Sequence, residues 1–460
     1  MPSIDRVIRI AVPLACLQLL FAAVVLGSHG APGALGGDFI AYYGAGKLML
    51  AGDGQHLYEL SAQLPYQQAL LQHSGLTSGR PTMIPFDYPP PAVLLFLPFA
   101  LVPATIAVWF WLALNGAGAI VSCRTLQRWR FSPLALTLLF PVDWGLLSGQ
   151  PVGLMLLFAA ISFRAFTAQE DAKGGAWLGL LAVFKPQLVL VPLLGLLVLR
   201  RPRALLGAAA TGFALLLVSL VVVGIPGLVA YLGLLSKIDP ALGNTTFSVR
   251  TGAMINWRAW ITALPGIDGE TALLLTASAA VATIGAALAL SMRRHRHLDF
   301  APLYLGLTAA GLVAGYHSHY QDLVILLPPV VAALPVLIGV LPHVWSQAPL
   351  HGNQRSKELR SHSVASALGD LALPGAALLL VVGPGLTWLL LGIFALNWLN
   401  VWTFLAVPGL LLLLIAIWHA DASRLETASI VKGVAGVVTG DQTSNTFATF
   451  HAPIPASGER

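Results

Sequence analysis

Apolar stretches, most of them long enough to cross a lipid bilayer, recur along nearly the whole chain, and they constrain its fold more than any single motif does. They cover residues 7–27, 104–123, 131–147, 151–166, 176–199, 204–226, 271–291, 300–315, 323–341, 371–391 and 399–418. A hydrocarbon core needs about 20 apolar residues in a spanning helix, and it holds no water to satisfy an open backbone. Only 10% of the 460 residues are charged, against 57% hydrophobic, too few charges to cover a water-facing surface. The fold class that follows is an all-α polytopic membrane protein with the lipid bilayer as its solvent. The first stretch reads as an uncleaved helix rather than a signal peptide. Residues 88–102, YPPPAVLLFLPFALV, are apolar but broken by prolines, and read as a partly immersed segment.

One stretch resists a single crossing. Residues 176–199 carry Lys185-Pro186-Gln187 near their centre and are followed by Arg200, Arg201 and Arg203. A lysine at mid-bilayer costs about 2.5–3.5 kcal/mol on insertion scales, and the three arginines would end up outside. Two short legs meeting at Lys185 avoid both, which predicts a hairpin and about twelve segments in all. With the N-terminus inside, the outer face or the membrane keeps six basic residues: Lys47, Arg80, Lys185, Lys237, Arg250 and Arg258. The other 19 of the 25 Lys and Arg fall inside, as cytoplasmic loops favour. The hairpin and this tally lean on the same rule. The net charge of +6 therefore belongs to cytoplasmic loops and does not point to nucleic acid. Long outer loops fall at 28–88 and 227–269. Residues 1–420 read as one transmembrane domain, and 421–460 as a polar, disordered cytoplasmic tail.

Few polar residues remain to carry chemistry, and they gather on the face opposite the basic loops. The first outer loop opens Gly36-Gly37-Asp38-Phe39 and continues through Tyr42-Tyr43, with apolar residues at helical spacing. A helix beginning at or just after Asp38 is predicted, its carboxylate either an N-cap or a reactive group. Glu59 and Asp87 read as solvated or structural acids. Gln150, in Leu147-Ser148-Gly149-Gln150-Pro151, can bind a hydroxyl or cap a helix. Lys185 at an intramembrane turn calls for a cavity, an acid or an anionic ligand. It serves either as a point charge for phosphate or as half of a buried pair with Asp143. The second outer loop supplies Lys237, Asn244, Arg250, Asn256 and Arg258. The run Tyr316-His317-Ser318-His319-Tyr320-Gln321-Asp322 closes a helix hairpin. Its histidines stand two apart, off a common helical face, so a phosphate or sugar is a better ligand than a metal.

The run Gly37-Asp38-Phe39, Tyr42-Tyr43, Ala45-Gly46, then Gly52 and Leu57-Tyr58-Glu59, resembles the first outer loop of glycosyltransferase family 87. That group includes polyprenyl-phosphate-mannose-dependent mannosyltransferases. Tyr88-Pro89-Pro90, Ser148-Gly149-Gln150, Phe184-Lys185-Pro186-Gln187 and the His317 to Asp322 segment follow in the family's order. Gly315-Tyr316 stand where the commoner form has Ser-Pro. The resemblance implies a GT-C type helix bundle with short interfacial helices in an extracytoplasmic first loop. It implies a polyprenyl-phosphate sugar donor, a glycolipid or glycan acceptor, and Asp38 as general base in an inverting transfer. Lys185, Gln187, His317, His319 and Arg250 would then hold the donor phosphate and lipid. Tyr42, Tyr43, Gln150, Asn256 and Asp322 would hold sugar or acceptor, without metal or cofactor. The expected place is the bacterial inner membrane, both termini cytoplasmic. A secondary transporter or flippase is the rival reading, against which stands the lack of repeated halves.

Overall fold

Among the described residues three helices are long and apolar enough to cross a bilayer unaided, Ala104–Thr125, Pro202–Ser236 and Gly269–Arg293, and shorter helices pack among them. The computed structural model describes residues 37–74, 84–126, 140–238, 254–294, 299–339, 407–411 and 414. Among these no strand occurs; Met254 and His319 form an isolated antiparallel bridge. The expected segments and termini in 1–36, 127–139, 340–406 and 415–460 lie outside the described residues, as does Arg250.

In the stretch read as the first outer loop, the helix expected to begin at or just after Asp38 is present, and further helical turns follow it. Helix α1 spans Phe39–Leu50, a 3₁₀ turn covers Gly54–His56, and α2 spans Leu60–Ser74. The proline-broken segment yields only a nine-residue helix, α3 (Ala92–Ala100). It lies so close to α1 that a Cβ on Gly46 would press on Ala100 and on the Phe96 carbonyl. Helix α4 (Ala104–Thr125) crosses next, followed by α5 (Phe140–Leu147) and α6 (Val152–Thr167). Helices α4 and α6 meet at a glycine, because a Cβ on Gly153 would run into the Asn115 carbonyl. Small residues of this kind let membrane helices approach backbone to backbone, where dispersion replaces the missing hydrophobic drive.

Lys185 does mark a reversal. Helix α7 (Asp171–Leu181) leads to it and α8 (Pro186–Val198) leads away. At about 1.5 Å per residue, these helices of 11 and 13 residues are both too short for a full crossing. Arg201 Nη1 bonds Asp171 Oδ1 at 3.0 Å and also donates to the Phe166 carbonyl. The start of α7 and the end of α8 therefore lie on one side of the bundle. Helix α9 (Pro202–Ile238) then runs parallel to α7, Gly175 facing Ala204 and Gly179 facing Ala208.

Helix α9 departs from the expected end of its apolar stretch near residue 226. It breaks at Gly224, whose φ of 66° and ψ of −177° are not helical, and restarts. Glycine alone adopts that backbone without strain, and Pro226, lacking an N–H, fits the first turn of the renewed helix. Part of the 227–269 loop is thus helix. The break lies over the loop that holds Gly54 and Tyr58: a Cβ on Gly54 would touch the Val222 carbonyl, and the Tyr58 and Tyr231 rings meet at a tilt with centroids 4.8 Å apart. Helices α10 (Trp257–Thr262), α11 (Gly269–Arg294) and α12 (Phe300–Ala314) follow. A 3₁₀ stretch, Tyr320–Leu326, leads into α13 (Leu327–Gly339).

These close crossings predict unequal costs for one methyl group. Gly153→Ala and Gly175→Ala each overpack a backbone contact and should destabilise by about 1–3 kcal/mol. Gly212→Ala on α9, where nothing lies within 4 Å, should be tolerated. Thermal unfolding of the detergent-purified variants checks the contrast.

Candidate active site

Asp38 stands immediately before α1, at the N-cap position, yet its side chain accepts no helix N–H. Its Oδ2 instead accepts the Gln150 Nε2 donor. Gln150 Oε1 accepts the Tyr88 hydroxyl at 2.7 Å, and the Tyr42 hydroxyl donates to Tyr88 Oη at 2.8 Å. A chain of hydrogen bonds thus runs from α1 through the Tyr88 segment and the α5–α6 turn back to Asp38. Backbone bonds hold the same pieces: Asp38 N donates to Ser148 O at 3.1 Å, and Trp111 Nε1 to Gly149 O at 2.7 Å. Gly149, at φ 75°, makes that turn. Around the chain lies an aromatic cluster in which the Tyr42 ring stacks on Phe96 at 4.6 Å and on Tyr88 at 5.1 Å. With Tyr42 buried at 3% exposure and Gln150 at 8%, the carboxylate is fixed from behind by groups that cannot drift.

Facing this acid end is a second constellation. Lys185 Nζ bonds both Asp322 oxygens, at 2.7 and 2.9 Å, with the two residues 5% and 0% exposed. Lys185 is therefore half of a buried pair, with Asp322 as its acid; the Asp143 side chain lies outside the described set. Asp322 Oδ2 also accepts the His319 N–H at 2.8 Å, and Gln187 Nε2 donates to the His317 carbonyl at 3.0 Å. The turn bearing both histidines is thus tied to the Lys185 reversal. Their rings meet edge to face, centroids 4.4 Å apart. Burial, then the charges of Lys185 and Arg258, hold His317 down at about 3. Burial and His317 hold His319 well below the usual range. Both imidazoles are neutral at physiological pH. Arg258 is itself buried and lies over the Tyr316 ring at 4.4 Å.

Asp87 is within electrostatic reach of both Asp38 and Lys185. Burial pushes its carboxyl up to about 6, and Asp38 adds to the rise while Lys185 opposes it. Sequence reasoning read it as a solvated or structural acid. Its place directly before Tyr88-Pro89-Pro90, within a run that carries the family resemblance, is the signal that could have found it.

The remaining expectations sort by what each side chain touches. Tyr43 turns away from Asp38, its hydroxyl donating to the Val102 carbonyl at 2.8 Å. Asn256 is fully buried: it donates to the Gly315 carbonyl at 2.7 Å and accepts the Ala259 N–H at 3.1 Å, capping α10. With its amide committed at both ends, it joins α10 to the histidine turn. Ile255 N bonds Ser318 O at 2.8 Å in the same seam. Among the described residues, no three of His, Cys, Asp and Glu come together in a way that could hold a metal ion.

The model of glycosyltransferase family 87 matches residues 86–315, half of the chain. No curated protein and no solved structure matches. The match includes Tyr88, Gln150 and Lys185; Asp38 and the histidines lie beyond its ends, joined to it by the contacts above.

Two outcomes follow for stability. Lys185→Met leaves Asp322 buried without its countercharge and should cost about 3–5 kcal/mol, most of which Lys185→Met/Asp322→Leu should restore; thermal unfolding of the three proteins measures this. For Asp87, folding raises the pKa from 3.8 to about 6, so the folded state binds the proton more tightly. Stability then falls as pH rises through that window, and the loss persists above it. Asp87→Asn removes the loss. Its unfolding midpoint should exceed wild type at pH 7.5, on the order of 2 °C, with the gap closing near pH 4.

Proposed function

The chain belongs to glycosyltransferase family 87 and is a membrane glycosyltransferase, and we propose that it moves one sugar, mannose foremost, from a polyprenyl-phosphate donor to a hydroxyl of a glycolipid or envelope glycan. In this reading the transfer takes place on the extracytoplasmic face of the bacterial inner membrane. The observation that carries it is the carboxylate of Asp38, held by Gln150 and backed by Tyr88 and Tyr42. A carboxylate braced in this way cannot swing away when a hydroxyl arrives, and preorganisation of this kind is what a general base requires.

The acceptor hydroxyl attacks the anomeric carbon as its proton passes to Asp38. The bond from that carbon to the phosphate oxygen breaks, and the polyprenyl phosphate departs with the electron pair. Attack on the face opposite the leaving group inverts the anomeric centre. The leaving phosphate belongs at the end formed by His317, His319 and Lys185, with Arg250 as a further cation from the second outer loop. An arriving phosphate supplies the negative charge that the neutral histidines lack, raises their proton affinity and turns them into donors as charge develops. Lys185 and Gln187 act there chiefly by fixing the histidine turn.

The experiment is Asp38→Asn in purified, reconstituted protein whose folding is checked by its unfolding midpoint. Transfer from polyprenyl-phosphate-mannose should fall by about 10²–10⁴-fold, the usual contribution of a general base. Gln150→Ala should fall less, because the carboxylate survives without its brace. Transfer near the wild-type rate in Asp38→Asn would remove Asp38 from the mechanism.

A further inference from the structure

Helix α2 turns two glutamines inward, Gln63 and Gln67, which are 1% and 4% exposed. Gln67 holds Ile84 at both ends: its Nε2 donates to the Ile84 carbonyl at 2.6 Å, and its Oε1 accepts the Ile84 N–H at 3.2 Å. Gln63 Oε1 accepts the Phe86 N–H at 2.8 Å, and its Nε2 donates to the Leu57 carbonyl at 2.7 Å. The two amides thus take alternate residues of one non-helical segment, as a neighbouring strand would. Their spacing fits the task. Four residues of helix rise about 6 Å, close to the roughly 6.6 Å of two residues of extended chain. Between the two stands Pro85, which has no N–H to leave unpaired and pushes Ile84 toward extended backbone.

The segment held in this way leads straight to the acid. Tyr88 lies two residues beyond Phe86, and its carbonyl accepts the Tyr58 hydroxyl at 2.7 Å. Its own hydroxyl donates to Gln150, which donates to Asp38. Phe86 is fully buried and meets the rings of Tyr42, Tyr88 and Phe96 edge to face, with centroids 6.1–6.4 Å apart. Helix α2 is itself seated on α1, where a Cβ on Gly44 would press on Gln67 Cγ at 3.3 Å. A continuous path therefore joins α2 to the carboxylate: glutamine amides, the backbone of 84–88, the Tyr88 hydroxyl, the Gln150 amide and Asp38.

We propose that Gln63 and Gln67 are positioning residues for the transfer, a role that rests on the transfer reading. They fix the segment 84–88, the segment fixes the Tyr88 hydroxyl, and Tyr88 with Gln150 fixes the Asp38 carboxylate against the incoming hydroxyl. Neither glutamine acts on substrate. Loosening either lets the base drift, and a displacement of about 1 Å lowers the rate on the order of 10²-fold. A glutamine that only holds the fold together would lower stability and leave the turnover of the folded protein as it is.

Two arms test it with protein in lipid nanodiscs. In the first, transfer from polyprenyl-phosphate-mannose to octyl α-mannoside is measured for wild type, Gln63→Met, Gln150→Ala and the double variant. Gln68→Ala, at an exposed position of the same helix, is the control and should match wild type. Methionine keeps the length of glutamine and removes both bonds. Gln63→Met should lower kcat about 10–100-fold and leave both KM values within about threefold. In the Gln150→Ala background it should lower kcat by no more than about threefold further, because the path is already cut. Gln63→Glu, buried and protonated, keeps an acceptor for Phe86 and a donor for Leu57, and should regain most of the loss. A folded Gln63→Met with kcat within about threefold of wild type, or a loss that multiplies with that of Gln150→Ala, overturns the proposal. Where Gln63→Met does not fold, Gln67→Met decides on the same criteria. The second arm needs no turnover and follows amide hydrogen exchange at Asp38, whose N–H donates to Ser148 O at 3.1 Å. Exchange there should quicken about tenfold in Gln63→Met and hold its wild-type rate in Gln68→Ala. Faster exchange at Phe86 with none at Asp38 overturns the coupling. Wild-type protein that transfers nothing would instead count against the transfer reading, and exchange then decides the two glutamines alone.

Discussion

The pair between Lys185 and Asp322 is the interaction on which the arrangement of the site depends. It joins residues 137 apart in sequence, one at the reversal between two short helices and the other in a 3₁₀ turn. Both are almost fully buried, so either charge alone would be severely penalised. The two turns must therefore come together, and His319 follows because Asp322 also holds its backbone. In a chain with so few charged residues, a matched pair of this kind acts as a registration mark between segments whose apolar surfaces could slide past one another. Buried polar groups often serve fold specificity in this way more than they serve stability.

The acid end is registered by a different device. There an uncharged chain, Tyr42 to Tyr88 to Gln150, reaches Asp38 through side chains embedded in stacked aromatic rings. Neutral hydrogen bonds cost less to bury than charges do, so they can pass through an apolar cluster and leave the only charge at its end. The result is a polarised site, with a fixed carboxylate at one end and the paired lysine with its histidine turn at the other. Transfer between a neutral hydroxyl and an anionic leaving group calls for that polarity.

Much of this was legible in the sequence, for reasons that differ residue by residue. The helices α4, α6, α11 and α12 follow directly from apolar runs, because lipid leaves the backbone no other solution. Lys185 announced a reversal because a charge in the middle of such a run is too costly to ignore. Asp38 was visible at the start of a helix, though only contacts from Gln150, 112 residues away, tell a braced acid from a plain cap. Asp322 as the partner of Lys185 was not legible, since sequence separation hides which of several acids comes near. For Asp87, read as a solvated or structural acid, the burial that raises its carboxyl was not legible, because a single Asp in a proline-flanked loop looks solvated until the packing around it is known. The renewed helix after Gly224 had a local signal, Gly224-Ile225-Pro226-Gly227, that a hydropathy reading passes over.

Gly224 has a mechanical consequence. A spanning helix tilts to match the thickness of its bilayer, and a rigid rod carries that tilt along its whole length. Here the rod is cut at the level of the first outer loop, where the Gly54–His56 turn rests on it. A break at this residue leaves the portion that carries Tyr231, packed against Tyr58, free to take its direction from the loop while the other portion takes its direction from the bilayer.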